Sequence, residues 1–160
     1  MAVALRSVIR LVLCVALCLA VGALGSVVTR PEIPGWYATL AKPFWTPPPV
    51  AFPIAWTTLY LLMAVALWRL WDRVPPSALR TRAVALFALQ LALNAVWSPV
   101  FFKWHNPAAA LVVIGLLVPA IAMLIATSAR LDRIAAWLLA PYLAWVVFAT
   151  TINGAVVAMN

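Results

Sequence analysis

Five long apolar runs, separated by short polar or proline-rich segments, limit what this 160-residue chain can fold into. Each run is long enough to cross a bilayer, which takes about 20 residues as helix. Hydrophobic residues make up 68% and charged residues 9% of the chain, whereas a soluble domain carries about 25% charged residues. The sequence therefore predicts an all-α integral membrane bundle of five transmembrane helices, forming one domain over residues 1–160. The expected spans are 5–28, 50–71, 81–102, 107–128 and 134–159.

The first run has two interpretations. Arg6 and Arg10 precede an apolar stretch, as in a secretory signal. That stretch continues to residue 28, however, beyond the 7–15 residues usual for a signal, and no clean cleavage motif follows. A retained helix is favoured. Cys14 and Cys18, four residues apart, then share one helix face as packing or lipid-facing residues.

Basic residues predict the orientation. The side of the N-terminus carries eight of the 11 lysines and arginines, and the other side three. By the positive-inside rule the N-terminus is expected inside, with the long first loop and the C-terminus outside. The net charge of +8 is thereby explained by topology, and no nucleic-acid partner is expected. A bacterial membrane is expected, with inner and outer both open. The eight residues are Arg6, Arg10, Arg69, Arg73, Arg80, Arg82, Arg130 and Arg133.

Groups for acid–base catalysis or metal binding are scarce. The acids are Glu32, Asp72 and Asp132, all in loops or near span ends, so no carboxylate pair is expected for acid–base chemistry. His105, the one histidine, is either an interfacial polar residue or a ligand near an outer opening. One histidine cannot form a metal site. We therefore expect no catalytic residue and no resident metal.

Aromatic and amide residues form stripes within the spans. In the third span Gln90, Asn94, Trp97 and Phe101 are spaced four, three and four residues apart, which places them on one helix face. An amide inside an apolar run must find a partner or line a cavity. Both alternatives remain open for Gln90 and Asn94.

Similar stripes occur in the second and fifth spans. Faces that combine rings with amides suit a flat, largely apolar ligand with polar edge groups, such as a tetrapyrrole or a sterol. The alternatives are interfacial aromatic belts and hydrogen bonds that only tie helices together. The stripes are Phe52, Trp56, Tyr60, Met63 and Tyr142, Trp145, Ala149, Asn153.

Small residues mark one face of the third span. Ala88 and Ala92 form a small-xxx-small pair near Ala85. Such faces let helices approach closely, so they predict a homodimer interface or internal packing.

The segment KPFWTPPPVAFPIAW, residues 42–56, leads from the first loop into the second span. Its prolines restrict the backbone, so ordering it over a ligand costs little conformational entropy. We expect a stiff lid that is continuous with a binding site at Trp56.

Three blocks carry a resemblance: WYATLAKPFWTPP followed by AWTTLY, then LQLALNAVWSPVFF, then PYLAWVVFATTIN. Together they resemble the TspO/MBR family, the tryptophan-rich sensory proteins related to the mitochondrial translocator protein or peripheral benzodiazepine receptor. The resemblance covers about residues 36–153. It implies a five-helix bundle, commonly a homodimer, with an intramembrane pocket closed by the first loop. It also implies binding of porphyrins, haem-related tetrapyrroles, cholesterol or benzodiazepine-type ligands.

The resemblance assigns pocket residues, of which Trp56 and Trp145 are the expected ligand-contacting rings. No cofactor is required, and porphyrin or haem is the expected ligand, within a lipid bilayer. Animal members carry a proposed sterol motif of Leu or Val, Tyr, then Lys or Arg, but no basic residue follows Tyr142 here. The pocket set is Trp36, Tyr37, Pro47, Trp56, Gln90, Asn94, Trp97, Ser98, Trp145 and Ala149.

Three functions follow. The first is a tetrapyrrole-binding sensor, regulator or transporter. The second is light- and oxygen-dependent porphyrin degradation in the same pocket, with tryptophans as electron donors. The third is a structural bundle without a ligand.

Overall fold

The computed structural model describes residues 2–160, and within that range the chain is helical without a strand. Two segments of π-helix, Arg69–Arg73 and Pro99–Lys103, extend the third and fourth helices, and a short 3-10 turn, Arg30–Glu32, follows the first. The α-helices are α1 Ala2–Thr29, α2 Trp36–Thr39, α3 Ala51–Trp68, α4 Ala78–Ser98, α5 Pro107–Ala129 and α6 Arg133–Met159.

Five helical segments are long and apolar enough to cross a membrane, so the predicted all-α membrane fold is confirmed. The protein is a multi-pass integral membrane protein. The first segment continues past the predicted end at residue 28 because the 3-10 turn extends α1. The third begins before the predicted residue 81 because Ser77 caps α4 by accepting a hydrogen bond from the Arg80 N–H. The segments are Val3–Glu32, Ala51–Arg73, Ala78–Lys103, Pro107–Ala129 and Arg133–Met159.

The helices pack in a closed order. α1 contacts α3 and α4, α4 contacts α5, α5 contacts α6, and α6 returns to α3. α1 buries only one face, and its outward side chains, such as Leu24 at 66% exposure, are suited to lipid. Cys14 and Cys18 are 2% and 0% exposed, so they are packing residues and not lipid-facing ones.

Gly22 allows α1 to approach α3 closely. A Cβ at this position would lie 2.6 Å from Cε2 of the Tyr60 ring. Real Cβ contacts are longer, at about 3.5–4.0 Å. The absence of a side chain at Gly22 therefore lets the Tyr60 ring lie close against α1.

Ion pairs join the helices at the end of the bundle that carries the N-terminus. Asp72, after α3, accepts a hydrogen bond of 2.7 Å from the Ser7 hydroxyl and pairs with Arg10 of α1 at 3.0 Å. Arg69 pairs with Asp132 at 2.9 Å. These contacts fasten α1 and the start of α6 to the end of α3.

Asp132 has a second role as the N-cap of α6. Its Oδ1 accepts hydrogen bonds from the N–H groups of Ile134 and Ala135 at 2.9 and 3.1 Å. Burial alone would raise the pKa of Asp132, but the Ala135 N–H, the Arg69 guanidinium and the Ile134 N–H together outweigh it. The pKa of this carboxyl therefore lies below its usual value.

Candidate functional site

Aromatic rings fill the interior between α3 and α6. Trp56 stacks on Tyr60 with ring centroids 5.5 Å apart. It also meets Trp145 edge-on at 6.5 Å and Tyr142 at 6.3 Å. Both tryptophans that the sequence singled out thus lie in one cluster. The surrounding rings place an apolar, polarisable wall in the middle of the bundle.

Asn94 ties three helices together in this interior. Its Oδ1 accepts a hydrogen bond of 2.6 Å from the Tyr60 hydroxyl. Its Nδ2 donates to the Tyr142 hydroxyl at 3.1 Å. Of the two alternatives left open for Asn94, the structure thus provides interhelical hydrogen bonding.

Gln90 has a different environment. The residue is fully buried, yet neither Oε1 nor Nε2 has a hydrogen-bond partner among the described residues. The indole Nε1 of Trp145 is also buried and unpartnered in that part of the chain. An unsatisfied buried polar group costs about 1–3 kcal/mol. Gln90 and Trp145 together therefore leave two donor groups and one acceptor unused inside the membrane spans.

Trp97 joins the bundle at a second polar contact. Its Nε1 donates to Oδ1 of Asn153 at 3.2 Å, and Nδ2 of Asn153 donates to the carbonyl of Pro107 at 2.9 Å. The Trp97 ring stacks on Phe101 at 5.1 Å. Trp97 therefore links α4, α5 and α6 rather than contributing a free edge.

Ser98 and Ala149 lie at the margins of the ring cluster. Oγ of Ser98 lies 3.3 Å from where a Cβ on Gly25 would be, so Ser98 faces α1. Ala149 is half-buried and packs against the main core. The structure thus places Ser98 at the contact with α1.

The first loop is held over one end of the bundle by aromatic contacts. Trp36 stacks on the His105 ring at 4.3 Å and meets Phe101 edge-on at 5.7 Å. Tyr37 meets Phe102 at 5.4 Å, and burial raises the pKa of the Tyr37 phenol. Both residues therefore contact the end of the third span, mainly through ring faces and edges.

Polar contacts anchor the same loop. Nε2 of His105 lies 2.9 Å from Oε2 of Glu32. This contact favours the interpretation of His105 as an interfacial polar residue over its interpretation as a ligand. The Lys42 ammonium donates to the carbonyl of Tyr37 at 2.8 Å. Asn160 accepts from the N–H of Ala41 at 2.9 Å and donates to its carbonyl at 3.1 Å. The loop is thus tied to the turn at His105 and to the last residue, and the Lys42 contact holds its own backbone together.

The prolines of the loop form two successive turns. The N–H of Thr46 donates to the carbonyl of Pro43 at 3.0 Å, and the N–H of Ala51 donates to that of Pro48 at 2.9 Å. Pro47 lies half-buried between these turns. The segment is therefore ordered without regular secondary structure.

A groove of about 500 Å³ lies between α3 and α6. Of the ten predicted pocket residues, only Trp145 lines it. Trp145 therefore borders both the groove and the ring cluster around Trp56. The lining residues are Ala55, Thr58, Leu59, Leu62, Pro141, Ala144, Trp145 and Phe148.

Two central residues were absent from the predicted pocket set. Tyr60 and Tyr142 supply the hydroxyls that hold Asn94. The sequence did contain a signal, because both tyrosines lie on the predicted stripes. A rule that an amide on one stripe needs a phenol on another would have selected them.

The fold and interior define a class: a polytopic α-helical membrane protein with a ring-lined centre and a proline-rich loop anchored over one end. The chain belongs to the TspO/MBR family, whose model matches residues 14–159. The predicted resemblance is thereby confirmed.

Three relatives show how far the similarity extends. The chain is 40% identical to the tryptophan-rich protein TspO of Chlorobaculum tepidum, over 97% of this chain and 98% of the relative. It is 38% identical to the protein of the same name from Archaeoglobus fulgidus, over 96% and 99%. It is 38% identical to the human translocator protein, over 74% and 70%.

Proposed function

We propose that this protein binds a tetrapyrrole of the porphyrin or haem type between α3 and α6, in the groove of about 500 Å³ and against the ring cluster that adjoins it at Trp145, and acts as a membrane sensor or transporter. One observation carries the proposal. The Trp145 indole N–H, within the ring cluster, and the Gln90 amide, one helical turn from Asn94 on α4, are buried without a partner among the described residues. Rings that stack on a flat face and unused polar groups that meet its edge are what such a ligand requires.

The unused groups match the chemistry of a porphyrin. The Gln90 amide can donate to a propionate carboxylate or accept from a pyrrole N–H, and the Trp145 N–H can donate. His105 is already engaged with Glu32. The proposal therefore relies on ring faces and edge groups, and not on axial ligation of an iron by His105.

A sterol is the second ligand class that the family suggests. Its flat ring system suits the aromatic wall, but its single hydroxyl would satisfy fewer of the unused polar groups. A tetrapyrrole is favoured for that reason. The translocator name of the human relative accords with transport, and the sensory name of the family accords with signalling.

The alternative of porphyrin photodegradation is favoured by one contact. Trp56 and Trp145 lie within 6.5 Å of each other, so a bound excited porphyrin would meet two oxidisable rings. Illumination of the complex in air tests this idea. A product that also forms with an unrelated membrane protein would rule it out.

Binding is tested by titrating the purified protein with protoporphyrin IX and following the absorbance of the porphyrin itself, so that removal of a tryptophan does not remove the reporter. We expect Trp56→Ala and Trp145→Ala to weaken binding about tenfold each, since stacking of one ring is worth about 0.5–1.5 kcal/mol beyond the area it buries. The matched control is Trp137→Ala, because Trp137 is 76% exposed on α6. Equal affinity in all four proteins would refute the proposed site.

A second variant separates binding from folding. Gln90→Leu removes both unpartnered polar atoms while keeping a similar volume. We expect the bundle to become more stable, because the unsatisfied amide is gone, and porphyrin binding to weaken. Increased stability with unchanged porphyrin affinity would show that Gln90 does not face the ligand.

A further inference from the structure

A second groove lies between α4 and α5, on the side of the membrane that carries the N-terminus, away from the ring cluster. It has a volume of about 200 Å³. Leu79 and Arg82 form one wall and are three residues apart on α4. The other wall is a single face of α5, with residues spaced three or four apart. The residues of this wall are Met123, Ala126 and Thr127 of α5 and Arg130, which directly follows α5.

Charge is confined to the rim of this groove. Arg82 and Arg130 are exposed, and neither guanidinium group forms a hydrogen bond or ion pair with any described residue. The only other polar group is the Thr127 hydroxyl, which already donates to the carbonyl of Met123 at 2.7 Å. The remaining lining is apolar. The groove thus combines two unpaired cations with an apolar floor.

The position of the groove matches the depth of lipid headgroups. Arg82 lies in the second turn of its helix and Arg130 follows the last residue of α5, so both mark the ends of membrane spans. From Met123 to Arg130 the face extends about 10 Å along the helix axis, at 1.5 Å per residue. That distance accommodates a phosphate, its glycerol backbone and the first methylenes of the acyl chains.

We propose that the groove between Arg82 and Arg130 binds one anionic phospholipid, with its phosphate between the two guanidinium groups and its acyl chains along Met123 and Ala126. Basic pockets between transmembrane helices are suited to anionic headgroups. Charge complementarity favours this occupant over a zwitterionic lipid, which brings its own cation, and the apolar floor favours it over a free anion. Neither argument depends on a ligand in the interior.

The test uses the purified full-length protein and native mass spectrometry, with dioleoylphosphatidylglycerol and dioleoylphosphatidylcholine as probes. We expect preferential retention of one phosphatidylglycerol. Since each basic residue near an anionic surface is worth about 1 kcal/mol, Arg82→Gln or Arg130→Gln should weaken binding about fivefold, and the double variant about thirtyfold. The matched control is Arg133→Gln, which removes an exposed charge from the same side without touching the groove.

A fourth variant keeps both charges. Met123 is 45% exposed, so Met123→Trp should fold normally while filling the groove, and we expect it to release the lipid. Equal retention of the two lipids by the wild type, or an equal loss in Arg133→Gln, would overturn the proposal. So would full competition by inorganic phosphate at the same concentration. A change of oligomeric state in Met123→Trp without a change in lipid binding would assign the groove to a second copy of the chain.

Discussion

Gly22 is the position where one added methyl group should disturb the centre of the bundle. In Gly22→Ala the new Cβ would lie 2.6 Å from Cε2 and 2.8 Å from Cδ2 of Tyr60. An ordinary contact of about 3.5–4.0 Å requires the ring to retreat by about 1 Å. The Tyr60 hydroxyl donates to Asn94 at 2.6 Å, and a shift of that size would lengthen the bond to about 3.6 Å, beyond hydrogen-bond range.

The expected cost follows from these two effects. Overpacking costs about 1–3 kcal/mol, and an interhelical hydrogen bond in a membrane protein adds about 0.6 kcal/mol on average. Replacing glycine by alanine in a helix stabilises it by about 0.5–1 kcal/mol, which offsets part of this cost. We therefore expect Gly22→Ala to lose about 1–3 kcal/mol of stability.

Thermal unfolding can be followed with a thiol-reactive fluorophore, because Cys14 and Cys18 are buried until the bundle opens. Intrinsic tryptophan fluorescence gives a second reading that does not depend on α1. The matched control is Gly115→Ala, since a Cβ at Gly115 would meet nothing within 4 Å. It should melt at or above the wild-type temperature.

A double-mutant cycle attributes the loss to Tyr60. In a Tyr60→Leu background, Gly22→Ala should cost little because the ring is absent. If Gly22→Ala, Gly115→Ala and the wild type have the same melting temperature, α1 does not approach Tyr60 as closely as described.

Three further predictions concern the lid, the polar end of the bundle and the assembly. Replacing residues 47–49 with glycine should weaken porphyrin affinity severalfold, because a looser lid loses more entropy on ordering; unchanged affinity measured by absorbance titration would remove the lid role. Because the pKa of Asp132 is lowered in the folded state, its ionised carboxylate stabilises the fold above the usual carboxyl pKa. This stabilisation is lost as the pH falls through the folded-state pKa, so the free energy of unfolding should drop below about pH 4. Asp132→Asn keeps an N-cap, and its melting temperature should fall less steeply than that of the wild type as the pH is lowered. The same dependence of melting temperature on pH in both proteins would contradict this linkage. Ala88→Leu should shift the mass measured by light scattering from that of the predicted dimer to that of a monomer. Ala85, Ala88 and Ala92 lie on an exposed face of α4, and a larger side chain there would keep two such faces apart. An unchanged dimer mass would place the interface elsewhere.

The number and type of helices could be predicted from sequence because each span is a long apolar run that must satisfy its own backbone in lipid. The juxtaposition of Trp56 and Trp145 could be anticipated because both lie on stripes with helical spacing. These inferences need only local periodicity and length. The orientation in the membrane and the homodimer stay predictions.

The partners of individual polar groups could not be predicted in this way. Gln90 and Asn94 lie on one face with the same amide chemistry, yet only Asn94 meets phenols from α3 and α6. The pairing of His105 with Glu32 joins residues that are 73 positions apart. Such contacts depend on how helices are rotated and how far they are shifted against one another, which periodicity within one helix does not specify.

The two ends of the bundle are fastened by different chemistry. At the end with Asp72 and Asp132, ion pairs clamp three spans directly to one another. At the opposite end, stacked rings and amide contacts hold down a loop that lies outside the spans. Breaking the ion pairs would therefore loosen the spans from one another, whereas breaking the contacts at the opposite end would release the loop first.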